Sequence, residues 1–408
     1  MPSLLQNISG NKGEASFANT GFTSMEWLPS FGQKSTVLLA SQALSHPLAE
    51  TNVLWKAMFV APLITQPYLV EQPEGKTVAL VQDLKFNLYC LDLKNGALLW
   101  SKFLGDKIIS DIQGIDFYGN GTKCYTFSSS SRIYTLDENG RDVDGFPLKL
   151  PDMATNATTV VDFDHSTKFS YFVACDNGKI YGFGHLGKPL DGWNAFSIHG
   201  IVRQPILHFQ HKGKDYLAVL TDTGLLSVFG RDGSLRFPPI QLDELPPEAK
   251  SGGGTFKYAM YVDLNAPGLR IYCANTMGKV FACDLQGKVL EQQSGKPGSV
   301  AAFGQLAGDG RFELAVLDGK NLSVSTWDKP LFKTQFPEKQ HLLFFLKNNY
   351  IGTVDRQGRR VWLLDSKGNV AAGFPLGGNT AFEFGRLNGV DMLVVGNGNS
   401  VWAYRVRF

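Results

Sequence analysis

The sequence has almost no charge asymmetry: 39 Lys and Arg stand against 37 Asp and Glu, a formal net charge of +2 over 408 residues. With both signs interspersed there is no electrostatic footprint for nucleic acid or an anionic membrane surface, and neither is an expected partner. Long apolar runs are also missing. Runs such as Leu342 to Leu346 fall far short of the roughly 18 residues a spanning helix requires, so no membrane insertion is expected. The opening Met1-Pro2-Ser3-Leu4-Leu5-Gln6-Asn7 lacks the basic and apolar stretches of a secretory signal. That fits either a cytosolic chain or one whose targeting segment lies upstream, and the second is the reading adopted.

Paired cysteines are absent as well. Cys90, Cys124, Cys175, Cys273 and Cys283 all sit in strand-like runs with no CxxC spacing, which reads as small buried hydrophobes. Cys273 and Cys283 flank the turn at Met277-Gly278 and would face one another in one register only, so the reduced state is expected. No HExxH, GxSxG, phosphate-loop or dinucleotide fingerprint occurs. Of the histidines only His208 and His211 are close, and a separation of three in a strand puts them on opposite faces, unlike a zinc pair. No catalytic, cofactor-binding or metal-ligating residue is therefore assigned.

What the chain does have is a repeat. A run ending near Asp, a Gly turn and an apolar run with Trp or Phe-Pro return as Asn95-Gly96 before Leu98-Leu99-Trp100, Asn139-Gly140 before Gly145-Phe146-Pro147, and Gly187 before Gly192-Trp193. The phrase recurs as Asp232-Gly233 before Arg236-Phe237-Pro238, Gln286-Gly287, and Lys367-Gly368 before Gly373-Phe374-Pro375, with a degenerate copy at Asp328-Lys329-Pro330. A period of about 45 residues built from short strands predicts radially stacked blades. The unit at 158–196 divides into strands at Thr158 to Phe163, Tyr171 to Ala174, Lys179 to Phe183 and Gly192 to Phe196. Asn177-Gly178 is a hairpin turn of the favoured two-residue kind.

Units begin near Leu63, Ile108, Ala157, Ile201, Thr255, Val300, His341 and Ala381. The last has room for only three strands, Phe382 to Leu387, Met392 to Gly396 and Val401 to Val406. Val53-Leu54-Trp55-Lys56 matches Leu98-Leu99-Trp100-Ser101 one period earlier, so the missing outer strand is expected from the other end of the chain, closing the ring. The expected fold is all-β, an eight-bladed β-propeller of four-stranded antiparallel blades over residues 51–408, with seven blades the alternative if His341 to Leu376 fails to form a sheet. Residues 1–50 lie outside the repeat and read as the remnant of an upstream domain, with one strand-like run at Val37 to Gln42. Leu242 to Gly254, with Pro246-Pro247 and Gly252-Gly253-Gly254, reads as a surface insertion.

Several turns rich in Asp and Asn resemble calcium cages: Asp116 to Gly121, Asp162 to Ser166, Asp263 to Gly268 and Gly308 to Arg311. None offers the six to eight oxygens a calcium site needs, and Asp and Asn are good turn residues in any case, so no cofactor is expected. Gln66, Asp111, Arg203, His208, Lys257 and Arg386 fall on or near inner strands, where they would solvate a water-filled axis.

Leu88 to Trp100, with Asp92, Gly96 and Trp100 at the turn and after it, resembles the tryptophan-docking repeat of pyrroloquinoline-quinone propellers. That family includes both quinoprotein enzymes and scaffold propellers of the bacterial outer-membrane assembly machinery. The resemblance implies that Trp100 packs on the next blade; the adjacent cysteines of the enzymes are absent. Leu54-Trp55-Lys56, Pro67-Tyr68-Leu69-Val70, Val81-Gln82-Asp83 and Asp144-Gly145-Phe146-Pro147 resemble the carboxy-terminal propeller of a family of large, uncharacterised bacterial envelope proteins. This implies a cell-envelope location as part of a longer anchored protein. The function expected is non-catalytic binding of a protein or envelope polymer; the alternative is a glycosidase, lyase or quinoprotein acting at the channel mouth.

Overall fold

A computed structural model describes residues 52–407 apart from 194–195, 243–257, 265–268, 307, 309–311 and 347–348. The segment 1–50, most of the insertion after Leu242, Lys257 and parts of the turns at 263–268 and 308–311 lie outside the described residues. Eight four-stranded antiparallel sheets are arranged in chain order. Blades 1 to 7 occupy residues 68–103, 113–149, 159–197, 207–241, 258–294, 300–335 and 342–377. Blade 8 combines residues 382–405 with 53–58. Within each blade, strands A to D run outward from the axis. D–A links and B–C turns share one face, called upper here, and A–B and C–D turns share the lower face.

Ring closure follows the expected exchange. Val53–Met58 pairs antiparallel with Ser400–Arg405, Trp55 opposite Ala403 and Met58 opposite Ser400, so the first described strand is the outermost strand of the last blade. The innermost strand of blade 8, Phe382–Leu387, lies against that of blade 1, Tyr68–Glu71. The core is correspondingly a ring of apolar wedges, one at each of the eight seams between neighbouring blades.

The turn phrase explains how each wedge is fixed. The Asp before the turn braces it: Asp92 accepts the Lys94 N–H (2.8 Å), and Asp137, Asp284 and Asp365 accept the equivalent N–H groups of Asn139, Gln286 and Lys367. The aromatic of one blade then lies on the turn glycine of the next. Trp55 covers Gly96 and donates Nε1–H to the Leu93 carbonyl (2.8 Å); Trp100 covers Gly140 and donates to the Glu138 carbonyl (2.8 Å). A Cβ at Gly140 would stand 2.7 Å from the Trp100 ring, and φ there is +78°, so both contact and conformation demand glycine. Trp193 donates likewise to the Arg231 carbonyl (2.9 Å). Phe237 on Gly287 and Phe332 on Gly368 repeat the stacking without the hydrogen bond.

Two kinds of blade emerge that the repeat did not separate. Blades 8, 1, 5 and 6 carry six-residue outer strands, at Val53–Met58, Leu98–Phe103, Val289–Ser294 and Pro330–Gln335. Blades 2, 3, 4 and 7 keep two residues, at Leu148–Lys149, Phe196–Ser197, Ile240–Gln241 and Leu376–Gly377. In this second kind the chain makes one isolated bridge, as at Leu136 to Asp142, then tucks an aromatic such as Phe146, Trp193 or Phe237 into the seam. The outer strand expected at Gly192 to Phe196 is corrected accordingly: Gly192-Trp193 is the tucked turn, and Trp193 is 2% exposed. The starts expected near Leu63 and Ile108 prove to be isolated bridges to Asp83 and Ser129 that precede the inner strands proper.

Cys273 and Cys283 are free. In the register found, Cys273 opposes Phe281 and Cys283 opposes Ile271, two residues out of step for a bridge. Burial pushes the Cys90, Cys175 and Cys283 thiols up to about 12 and Cys124 to about 11. Native protein near pH 8 is therefore expected to resist iodoacetamide, with five alkylated cysteines by mass spectrometry only after denaturation; rapid native labelling would contradict this burial. Trp55→Ala is expected to destabilise by about 3–5 kcal/mol. Gly96→Ala is also expected to destabilise, and in chemical denaturation the double variant should cost less than the sum of the two, because both changes break one contact.

Candidate functional site

Three blades contribute to a polar cluster at their inner strands. Tyr68 of blade 1 hydrogen-bonds the carboxyl of Asp111, at the start of blade 2, and its hydroxyl lies 3.4 Å from the Ser110 carbonyl. Glu383 of blade 8 accepts the Leu69 N–H (2.9 Å). Burial, reinforced by the Asp111 and Glu383 charges, holds the Tyr68 phenol well above its usual range. Burial likewise pushes the Asp111 carboxyl up to about 6, against the opposing pull of the Tyr68 hydrogen bond. An acid titrating there can hold or release a proton near neutrality, which suits Asp111 to acid–base chemistry.

The cluster is held by a second repeat, on the links into the inner strands. Thr65 Oγ1 accepts the Gln82 N–H, Ser110 Oγ the Ser128 N–H, Asn156 Oδ1 the Ala174 N–H and Thr380 Oγ1 the Gly396 N–H, at 2.8–2.9 Å. Each short polar side chain replaces a ladder hydrogen bond where the inner strand has not yet begun.

On the lower face a second cluster joins blades 3 and 4. His208 Nε2 lies 2.9 Å from Asp215 Oδ1, to which Gln210 also donates (2.9 Å). Arg231 forks onto Asp164 and lies over the Phe163 ring at 4.9 Å, while Arg236 donates to the Asp215 carbonyl (2.8 Å). Burial alone would raise the Asp215 carboxyl, but the His208 and Gln210 hydrogen bonds outweigh it and the net shift is downward. The arrangement is a cross-blade brace.

The sequence candidates scatter. Asp111 alone joins the inner cluster. Gln66 is buried, Arg203 pairs with Asp222 (3.4 Å), and Arg386 is exposed beside Asp391 (3.5 Å). His208 turns into the blade 3–4 seam instead of the axis, and His211 occupies the opposite face of its strand, opposite Lys214. In the suggested calcium turns, Asp116 accepts the Asn120 and Gly121 N–H groups and Asp162 those of Ser166 and Thr167, at 2.8–3.0 Å. Among the described residues no group of three His, Cys, Asp or Glu converges as a metal cage. Tyr68 and Glu383 escaped sequence reasoning, since partners 315 residues apart leave no local spacing to read.

No protein-family model and no curated protein matches the sequence. Solved structures share the fold. Sqt1 of Saccharomyces cerevisiae aligns with a TM-score of 0.64 at 10% identity, covering 88% of this chain and 99% of that one. BamB of Moraxella catarrhalis gives 0.53 at 12%, covering 87% and 97%. The quinohemoprotein alcohol dehydrogenase of Comamonas testosteroni gives 0.54 at 11%, covering 86% and 76%. Likeness at these identities extends to the propeller and leaves function to the site.

The Asp111 shift has a thermodynamic sign. Stability associated with the protonated carboxyl is fully present below the unfolded value near 3.8 and is lost as pH rises through about 6. Asp111→Asn is therefore expected to raise the melting temperature relative to wild type at about pH 8 and leave it little changed at about pH 4. Parallel stability–pH curves for the two proteins would refute the shift.

Proposed function

We propose that this chain is a non-catalytic binding propeller of the bacterial cell envelope that holds a protein or envelope polymer on a face of the ring. The observation carrying this reading is the contrast between a polar interior occupied with its own bracing and an upper edge with bare apolar side chains. Met58, Val60, Leu84 and Phe103 are 77%, 84%, 57% and 68% exposed, and all four lie around blades 8 and 1. Scattered apolar residues are ordinary on a surface, whereas grouped ones mark contacts. The envelope assignment rests on the resemblance of Leu54-Trp55-Lys56 and its companion phrases. The proposal requires no cofactor; a calcium-stabilised form would show as a melting temperature that rises with added calcium.

A second reading has one observation in its favour. Asp111, poised near 6, with Glu383 also acting on Tyr68, would suit proton transfer to a saccharide or alcohol at the axis. Photo-crosslinkers placed at Leu84 on the upper face and Tyr118 on the lower are expected to give discrete adducts from one face in intact cells. Diffuse or absent adducts from both faces, with turnover of a glycoside or alcohol panel that Asp111→Asn and Glu383→Gln abolish, would replace the binding reading with the enzymatic one. Fractionation that leaves the protein in the cytosol would remove the envelope assignment.

A further inference from the structure

The upper face over blades 7, 8, 1 and 2 combines bare apolar groups with cations in one continuous band. Backbone hydrogen bonds link its parts. The Leu84 N–H reaches the Pro62 carbonyl (2.8 Å), which joins the blade 1 turn to the link carrying Met58 and Val60. Phe59 and Leu63 N–H groups reach Asn399 and Gly398 carbonyls (2.8 Å each), which joins that link to the blade 8 turn. The Arg359 guanidinium of blade 7 packs beside Gly398, 3.7 Å from where its Cβ would stand. On the other side the Leu104 N–H reaches the Phe86 carbonyl (3.0 Å), and Gln82 clamps the next residues by donating to the Asp106 carbonyl and accepting the Ile108 N–H (2.8 Å each). Lys107, between those two residues, is thus presented by a rigid loop.

Charge is distributed unevenly around this face. Over blades 4 to 6 three cations are paired, Arg203 with Asp222, Lys296 with Asp318 and Lys320 with Glu338, while Lys339 forms no ion pair among the described residues. Lys85, Lys107 and Arg359 form no ion pair among the described residues. The carboxylates of the same turns are directed inward. Asp83 binds the Lys85 and Asn87 N–H groups and the Tyr89 hydroxyl; Asp106 binds Ser130 and Ser131; Asp355 binds the Gln357 and Gly358 N–H groups. Lys107 is held below its usual range by burial and by the charge of Arg356, which reaches it across the ring from blade 7. A carboxylate arriving beside Lys107 would offset both effects.

We infer that this band docks an acidic segment of a partner protein, with carboxylates over Lys85, Lys107 and Arg359 and apolar side chains over Val60, Leu84 and Phe103. Charge complementarity names the sign of the partner, and the interleaved apolar groups favour a polypeptide over an inorganic or sugar polyanion. The inference deepens the binding reading and depends on it.

A displayed library of random short peptides, selected on the intact protein, tests it. Selected peptides are expected to combine Asp or Glu with aliphatic or aromatic residues and to weaken as salt rises. Lys85→Glu with Arg359→Glu is expected to reduce their binding by about tenfold or more, as is Val60→Ser with Leu84→Ser. Lys296→Glu on blade 5 should leave it unchanged. The four positions changed in these variants, Lys85, Arg359, Val60 and Leu84, are all exposed, and melting temperatures within a few degrees of wild type would confirm folding. Inorganic polyphosphate that competes as well as the best peptide would overturn the protein partner. Peptides that survive both double variants would overturn this surface while leaving binding elsewhere on the ring intact, and a selection that yields no peptide would count against both.

Discussion

Everything in this molecule rests on one blade being assembled from both ends of the described chain. A ring of sheets that contact one another only through their flat sides has no internal clasp, because each seam is local and separable. Pairing Val53–Met58 with Ser400–Arg405 supplies one, with backbone hydrogen bonds across the whole width of the sequence. Trp55 makes that strand hold in two directions, since it belongs to blade 8 and rests on the turn of blade 1. The inner cluster depends on the same closure: Glu383 reaches Leu69 only because blades 8 and 1 are neighbours.

The wedges show how few residue types suffice to build such a ring. Aspartate folds a turn, glycine clears a flat place on it, and an indole or phenyl ring from the preceding blade occupies the place. Where tryptophan is the occupant its N–H also satisfies a turn carbonyl, a hydrogen bond worth about 1 kcal/mol. Blade 5 reverses the roles, with Glu291 at the corresponding position accepting the Trp327 indole N–H, and Gln293 two residues on donating to the Trp327 carbonyl (2.8 Å). The geometry is conserved around the ring while the chemistry at each seam varies, which is why solved propellers with 10–12% identity superimpose on it.

This division explains what was legible in the sequence. Blade number, phase and the exchanged strand could all be read, because Asn95-Gly96 with Trp100, and Trp55 one period away, are local phrases that each specify a turn or a seam. Reading strand lengths failed at Gly192-Trp193, since an apolar run looks the same whether it pairs with a neighbour or tucks under one. The polar clusters were largely illegible. The repeat places Asp111 near an inner strand, but its partners Tyr68 and Glu383 come from other blades. A strand's alternation gives His208 two faces without saying which one meets the seam, and Asp215 decides that from across the hairpin.

The shared blade also gives the ring a polarity. Val53 lies opposite Tyr404, at the lower end of blade 8, so the polypeptide arrives and departs side by side from one point on one rim. The broad surface carrying Lys85, Leu84 and Arg359 lies on the far side from that point, so both termini of the propeller stand clear of it.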